Sequence, residues 1–463
     1  MIKNTARNIS PEFGSMSDQT HYNEGIFEDL DTALAASEEA QQQLMLLSLD
    51  KRKEIIAAMR QAAKSNAEIL AAMAHKETSL GRYEDKIKKI HLAAERTPGV
   101  EILGTEAFTG DHGLTLVERA PYGVIASITP VTNPAETIIN NGIGMIAAGN
   151  SVVFNAHPSA AGVTNRTVSI LNQAIRQTGG PGNLLASLRE PTIDTAQRLM
   201  RHPKVKLLVV TGGMPVVREA MTCGKKVIAA GPGNPPVIVD ETADIERAAR
   251  DIVAGASFDN NIICICEKEI FVVDSVADSF KAYLKKYGAF ETNKWQTKRL
   301  ESLLIPENHG PGKASYPNKA YVGRNAGYIL GQIGCEVKDE VRLAFMDVEP
   351  EHPFVWSELL MPVIPMVRVK NVDEAIALAV KAEHGFGHSV LMHSRNIEKL
   401  SEMATKANTA IFTKNGPSYA GLGLGGEGHS TFTIATTTGE GITTAKHFTR
   451  ERKCVLVDYF RIV

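Results

Sequence analysis

Apolar positions along the chain follow two periods. From Gly25 to about Arg82 they recur at helical spacing: Leu30 and Leu34 lie one turn apart, and Ile55, Met59 and Ala62–Ala63 follow at about 3.6 residues per turn. This predicts a helical opening that packs on a later sheet. Tyr122–Ile128 then reads as a short apolar strand ending in Thr129-Pro130. A helix is predicted from about Pro134 to Ala148, with proline at its start and Gly149 after its end. Ser151–Asn155 is the next strand and Gly162–Gln177 the next helix. Leu207–Val210 and Val227–Ala230 continue the strands, with helices from about Asp194 and Pro215. Strands alternating with helices through short links predict a parallel sheet, because parallel neighbours need a crossover.

A second alternation begins beyond Asp240. The helix Ile245–Gly255 leads into an irregular stretch holding Cys264. Then come the strand Glu269–Asp274, the helix Val276–Lys286, the strand Arg342–Val348, the helix Val372–Lys381, the strand Ser389–His393 and the helix Ile397–Ala407. Strand-like Thr431–Thr436 and Cys454–Val457 lie outside both alternations and read as an arm or an edge-pairing segment. The expected fold class is α/β, two α/β domains with ligand loops between them. In such sheets ligands sit at the carboxyl ends of the strands.

Composition narrows the function classes. At 463 residues, 43% hydrophobic and 22% charged, the chain is expected to be a soluble protein of two or three domains. A formal net charge of −2 gives no basic field for nucleic acid or an anionic membrane. Five scattered cysteines form no disulfide framework and fit a reducing cytoplasm. There is no apolar run near the roughly 18 residues of a membrane helix, and no secretory signal. Met1–Ser15 reads as a leader left by cloning, since Pro-Glu-Phe-Gly-Ser runs up to Met16. It is set aside from the fold.

Each strand of the first alternation ends in a turn of small or polar residues: Thr129–Asn133, Asn155–Ser159, Thr211–Gly213 and Gly231–Asn234. Glycines there let backbone approach a ligand, and the helix starts after these turns favour phosphate. Gly421, Gly423 and Gly426 match G-x-G-x-x-G, but His429–Thr433 beyond them reads as extended rather than helical, so the match is set aside. Cys264, in a loop between helix and strand beside Asn260 and Asn261, has the setting of a thiol nucleophile; the competing reading is a small buried hydrophobe. The Cys264-x-Cys266 pair has no second cysteine pair or histidine cluster to complete a metal site, so no metal is expected.

Together these stretches resemble the aldehyde dehydrogenase superfamily from about Gly25 to Val463. More narrowly they are similar to the acylating aldehyde dehydrogenases of bacterial microcompartments, from ethanolamine or propanediol breakdown. The resemblance is carried by TPGVE (Thr97–Glu101), TNPAETIINN (Thr132–Asn141), AAGNSVVF (Ala147–Phe154), VVTGG (Val209–Gly213), AAGPGNPPVIVDETAD (Ala229–Asp244), GASFDNNIIC (Gly255–Cys264), KNGPSYAGLGLGGEG (Lys414–Gly428) and TGEG (Thr438–Gly441). It implies a Rossmann-like cofactor domain over 16–240, with an oligomerisation arm near 105–120. It further implies a catalytic domain over 241–430 and an oligomerisation segment over 431–463. Cys264 would be the nucleophile, and Asn133 with the Cys264 N–H would hold the oxyanion. Thr129, Pro130, His157, Ser159, Thr211, Gly212, Gly213 and Gly231 would line the cofactor site, and Glu358 would bind the nicotinamide ribose.

Two departures from hydrolytic members matter. An alanine, Ala230, stands where those enzymes carry the glutamate that activates water, which implies a thiol as acyl acceptor. His157 replaces the lysine that binds the adenosine ribose, which changes that contact and weakens the signal that separates NAD from NADP; NAD is the expected cofactor. The implied reaction takes a short aldehyde, propionaldehyde or acetaldehyde, through a Cys264 thioester to acyl-CoA, with NAD as oxidant and coenzyme A as co-substrate. Implied partners are a second copy of the chain, as homodimer or homotetramer, and the compartment shell. Ser17–Asn23 is too short and polar for the packaging peptide such enzymes often carry, and the implied location is bacterial cytoplasm or compartment lumen. His388 sits in a turn resembling an active-site loop, with a structural role favoured over a direct one. The competing readings are a hydrolytic dehydrogenase, an acyl-phosphate reductase and a non-catalytic scaffold.

Overall fold

The computed structural model describes residues 24–338 and 340–463; the leader and the 17–23 stretch lie outside them. Four helices open the described chain, Leu30–Met45, Leu49–Ser65, Ala67–Thr78 and Tyr83–Arg96. Their apolar stripes, including Leu34, Ile55, Met59 and Ala63, are fully buried. Six parallel strands form the first sheet in the order Ile26–Phe27, Leu185–Leu188, Ser151–Asn155, Val124–Ile128, Val205–Thr211, Lys226–Ala230. Alternate residues of Val205–Thr211 serve opposite faces: Leu207 and Val209 join the cluster that holds Ile55 and Met59, whereas Leu208 and Val210 join the one that holds Leu30 and Leu34 of the first helix.

Seven strands, also parallel, form the second sheet in the order Ala289–Glu291, Leu343–Asp347, Val363–Val369, Glu269–Val273, Pro236–Val239, Ser389–His393, Ile411–Lys414. Its first strand in sequence, Pro236–Val239, comes after the last strand of the first sheet with only the turn Gly231–Pro235 between them. The passage between sheets therefore lies before residue 236, and the expected division at 240 falls just past that strand. A third, antiparallel sheet joins Thr449–Val457 to Gly113–Pro121, which also pairs with Glu106–Gly110. The sequence-expected arm and C-terminal strand thus pair with each other. Ile434–Ala435 pairs with Gly441–Ile442, a shorter strand than Thr431–Thr436 suggested. After Gly421 and Gly423 the chain stays non-helical through Ser430. Among the described residues no helix is long and apolar enough to cross a membrane.

Candidate active site

The turn Gly231–Pro235 fixes how the two sheets face one another. It leaves the carboxyl end of Lys226–Ala230 and enters the amino end of Pro236–Val239. In the first sheet the chain runs from Val124–Ile128 to one side and then returns to build the other, so the carboxyl ends of Val124–Ile128 and Val205–Thr211 flank a topological switch point. Thr129–Asn133 and Gly212–Gly213 open from those two ends. The second sheet behaves oppositely. Gly233, Cys264, Glu358 and His388 each precede one of its four central strands, at the amino edge. The candidate residues thus lie at the carboxyl edge of the first sheet and at the amino edge of the second, because the short link joins the carboxyl edge of one sheet to the amino edge of the other.

The loop that carries Cys264 is built on three consecutive left-handed residues, Asp259 (φ 45°), Asn260 (φ 53°) and Asn261 (φ 65°). Non-glycine residues pay conformational energy there, of the order of 1–3 kcal/mol each in the less favourable cases, and Asn and Asp tolerate it best. Side-chain bonds hold the turn in place. The Asp259 N–H donates to Asp85 (3.1 Å), and Asp259 Oδ1 accepts from the Arg82 N–H (2.6 Å). Asn260 Nδ2 donates to the Gly323 carbonyl (2.9 Å) and to Asn325 Oδ1 (2.8 Å). Asn261 Nδ2 donates to the carbonyls of Ala256 (2.8 Å) and Glu267 (2.9 Å). Buried Lys268 closes the loop from beneath, donating to Asn261 Oδ1 (2.5 Å) and the Ile263 carbonyl (3.3 Å).

Cys264 is half-buried, whereas Cys266 is fully buried in the apolar cluster. Burial, reinforced by the Glu358 carboxylate, pushes the Cys264 thiol up to about 12, against a smaller opposing pull from Lys268. Glu358 itself is pushed up to about 7 by burial, while its Oε1 accepts a long bond from the Gly233 N–H (3.4 Å). Gly233 is where the groups meet: a Cβ placed on it would lie 2.8 Å from His388 Cγ and 3.1 Å from the Cys264 carbonyl oxygen. His388 is buried and held down to about 3, by burial first and Lys268 second, so its imidazole is neutral. Its Nδ1 bonds Ser389 Oγ (2.8 Å), its N–H donates to Glu383 (2.7 Å), and its Nε2 has no hydrogen-bond partner. With Nδ1–H donating to Ser389, Nε2 is the ring's free lone pair; held that low, the imidazole can pass a proton on but is too weak a base to store one. Among the described residues no cluster of three or more His, Cys, Asp or Glu side chains could hold a metal.

The carboxyl edge of the first sheet has the features of a dinucleotide site. Thr129 Oγ1 is buried without a partner at the end of the central strand. Gly213 begins the helix Met214–Met221 with no side chain capping it, which leaves that helix start open to a pyrophosphate. Gly231 keeps backbone close, since a Cβ there would meet Thr437 Oγ1 at 2.6 Å. Thr211 Oγ1 bonds Thr433 Oγ1 (2.8 Å), and the Gly212 N–H donates to the Ala230 carbonyl (3.4 Å). Pro130 succeeds Thr129 on the same edge. His157 and Ser159 lie exposed on the neighbouring turn, the Ser159 N–H donating to His157 Nδ1 (3.1 Å). These residues fit a nicotinamide dinucleotide laid across the switch point.

The aldehyde dehydrogenase family model matches residues 3–300 and 341–452. The chain belongs to the aldehyde dehydrogenase family. It is 53% identical over 440 residues to the acetylating acetaldehyde dehydrogenase EutE of Escherichia coli (strain K12), covering 95% of this chain and 94% of that one. It is 45% identical over 439 residues to the CoA-propanoylating propanal dehydrogenase of Salmonella typhimurium (strain LT2), covering 95% and 93%. The structure of Rhodopseudomonas palustris propionaldehyde dehydrogenase with bound CoA and an acylated cysteine superposes with a TM-score of 0.91 at 49% identity, over 94% of this chain and 98% of that one.

Within this family member the fold gathers Cys264, Glu358 and His388 at one edge and the Thr129, Thr211 and Gly231 turns at the other. Four contributors were not singled out from the sequence: Gly233, Lys268, Glu267 and Lys89. Glu267 is buried, pushed up to about 7 by burial, and accepts from the Ser418 N–H (2.9 Å). Lys89 is wholly buried and donates to Asn133 Oδ1 (2.7 Å). Its signal was present: Lys86 and Lys89 share the helix stripe of Ile90 and Ala93, an apolar face on which lysine is out of place.

Proposed function

We propose that the chain oxidises a short aldehyde with NAD and passes the acyl group from Cys264 to coenzyme A. The observation that carries this reading is the meeting of Cys264, Glu358 and His388 around Gly233, on a sheet edge that faces the dinucleotide edge of the first sheet. With its thiol near 12, Cys264 must give up its proton as it adds to the aldehyde carbonyl, and His388 Nε2, held near 3, relays that proton on to solvent rather than keeping it. Asn133 Nδ2 and the Cys264 N–H then receive the alkoxide; such preorganised donors are commonly worth about 3–4 kcal/mol in the transition state. Val131, two residues before Asn133, packs against the same cluster as Cys264. A bound nicotinamide would supply the hydride acceptor, and Cys264 would then carry the acyl group as a thioester. Thr129, Pro130, Thr211, Gly212, Gly213 and Gly231 would hold the dinucleotide, with His157 and Ser159 toward its adenosine and Glu358 toward the nicotinamide ribose. Ala230, buried at its strand end, offers no carboxylate to activate water. The thiol of coenzyme A then attacks the thioester carbonyl, its proton leaving by the same His388 relay, and the acyl group passes to it as the Cys264 sulfur departs as thiolate and regains a proton.

The antiparallel sheet supports self-association. Phe108, Val455, Leu456 and Val457 on its strands are exposed in the single chain, as are Tyr459, Phe460, Ile462 and Val463 beyond it. An apolar surface of this kind favours a homodimer or homotetramer over an isolated chain. A structural neighbour at 45% identity is the propionaldehyde dehydrogenase of the Clostridium phytofermentans fucose utilisation microcompartment. It supports a place in the bacterial cytoplasm or compartment lumen. NADH absorbance tests the function directly, with NAD and propionaldehyde or acetaldehyde, each with and without CoA. Sustained turnover only with CoA is expected. Equal turnover without it would make water the acceptor and the chain a hydrolytic dehydrogenase.

A further inference from the structure

Beneath the site lies a buried charge cluster that the reaction above does not use. Lys89 is 0% exposed, and its ammonium reaches three groups: Asp259 Oδ2 (2.5 Å), Asn133 Oδ1 (2.7 Å) and Glu136 Oε1 (3.1 Å). Lys86 reaches the same Asp259 oxygen (3.3 Å). Two cations thus face two carboxylates with almost no water, an arrangement whose desolvation cost makes it weak support for stability alone. Its geometry is more informative. Asp259 opens the left-handed turn that carries Cys264, and Asn133 stands at the carboxyl edge of the other sheet. One ammonium therefore ties the nucleophile loop to the amide across the cleft.

We propose that Lys89 is a positioning residue for acyl transfer, fixing which end of the Asn133 amide faces the reacting oxygen. The proposal rests on the reading of Asn133 as an oxyanion donor. An ammonium can only donate, so it must meet the amide through Oδ1. Nδ2 is then turned to the opposite side. One of its two hydrogens serves Thr132 Oγ1 at 3.2 Å, and the other remains for the alkoxide. Without Lys89 the amide is free to rotate by half a turn. A carbonyl oxygen would then face the developing negative charge, removing a donor and adding a repulsion. Because the same ammonium holds Asp259, the donor and the thiol loop keep their spacing together.

The test is a double-mutant cycle on kcat for NADH formation, with NAD, propionaldehyde and CoA and the full chain. Asn133→Ala alone should lower kcat by about a hundredfold to a thousandfold. If it does not, the oxyanion reading fails, and this proposal with it. Lys89→Met should lower kcat by about tenfold to a hundredfold with KM for NAD unchanged, and add less than about threefold in the Asn133→Ala background. A structural role would lower kcat by the same factor in both backgrounds, and that result would overturn the proposal. Where Lys89→Met does not accumulate as folded protein, Glu136→Gln gives the same cycle without emptying the lysine's place. It frees one anchor of the ammonium and should cost severalfold beside Asn133, but nothing beside alanine. Equal cost in both backgrounds, or none beside Asn133, overturns the proposal.

Discussion

Gly233→Ala tests whether the convergence at the amino edge governs turnover. The added methyl would stand 2.8 Å from His388 Cγ and 3.1 Å from the Cys264 carbonyl oxygen. An ordinary carbon–carbon contact needs about 3.5 Å, so the ring must retreat by roughly 0.7 Å. It has little room: His388 is buried, its Nδ1 is held by Ser389 and its backbone by Glu383. Overpacking of this kind costs about 1–3 kcal/mol of stability. A displacement approaching 1 Å in a catalytic group can cost about a hundredfold in rate, or about 2.7 kcal/mol of barrier. We therefore expect Gly233→Ala to remain folded at 25 °C, with a lower melting temperature and a tenfold to hundredfold loss in kcat for CoA-dependent NADH formation. The assay pairs thermal unfolding with steady-state kinetics at saturating NAD. Wild-type kcat in a variant that has lost stability would refute the reasoning, because His388 and the Cys264 carbonyl would then have moved without consequence.

Cys264→Ala should abolish NADH formation, whereas Cys266→Ala, which removes a buried sulfur, should retain most of it; equal loss would point to a paired-thiol site rather than a single nucleophile. Glu358→Gln removes a carboxylate that raises the Cys264 thiol, so iodoacetamide should alkylate Cys264 about threefold to tenfold faster. Since Glu358 titrates near 7, the gain should appear above that pH and vanish near pH 6; identical rates at pH 8 would count against the contact. Glu267 sits at about 7 in the fold against an ordinary 4.5, so the native state holds more protons between those values. Stability therefore falls as pH rises from about 4.5 to 7, by up to about 3 kcal/mol from this group. Glu267→Gln should escape that fall, its melting temperature gaining on the parent between pH 5 and pH 7.5, and a pH-independent gap would contradict the assignment.

Elements with one clear period were legible from the sequence. Ser151–Asn155 and Ser389–His393 lie where their apolar runs placed them, and the helix starts at Ile245 and Ile397 agree with their polar caps, Asp244 and Asn396. The strand Val363–Val369 was not anticipated, because Pro365 lies within it and proline argues against an interior strand. Pro365 pairs with Met346 on one side, and the ladder to the strand on the other side begins only at Met366. Lys294–Leu304 was also missed, although Asn293 and Gln296 form a reciprocal capping box at its start. For the site, resemblance singled out the loop cysteine Cys264, beside amide side chains, as the candidate nucleophile. The role of Gly233 was not readable, since a glycine's demand comes from what surrounds it, and its neighbours Cys264 and His388 are distant in sequence.

The amino-edge placement of Cys264 explains why so much of the loop is charged or amide-bearing yet buried. At a carboxyl edge a strand delivers its last residue directly into the next turn, and a short glycine-rich link suffices, as at Thr211–Gly213. At the amino edge the chain arrives from a helix, here Ile245–Ala256, and must reverse before entering Glu269–Val273. The three left-handed residues make that reversal in little length, and their own side chains supply the bonds that hold it. Those bonds reach Asp85, Gly323 and Ala256, on elements from both halves of the chain. The thiol is therefore placed by contacts from both halves of the chain as well as by its neighbours in sequence. Apolar substitution of Asp259, Asn260 or Asn261 would leave the strain and remove its compensation.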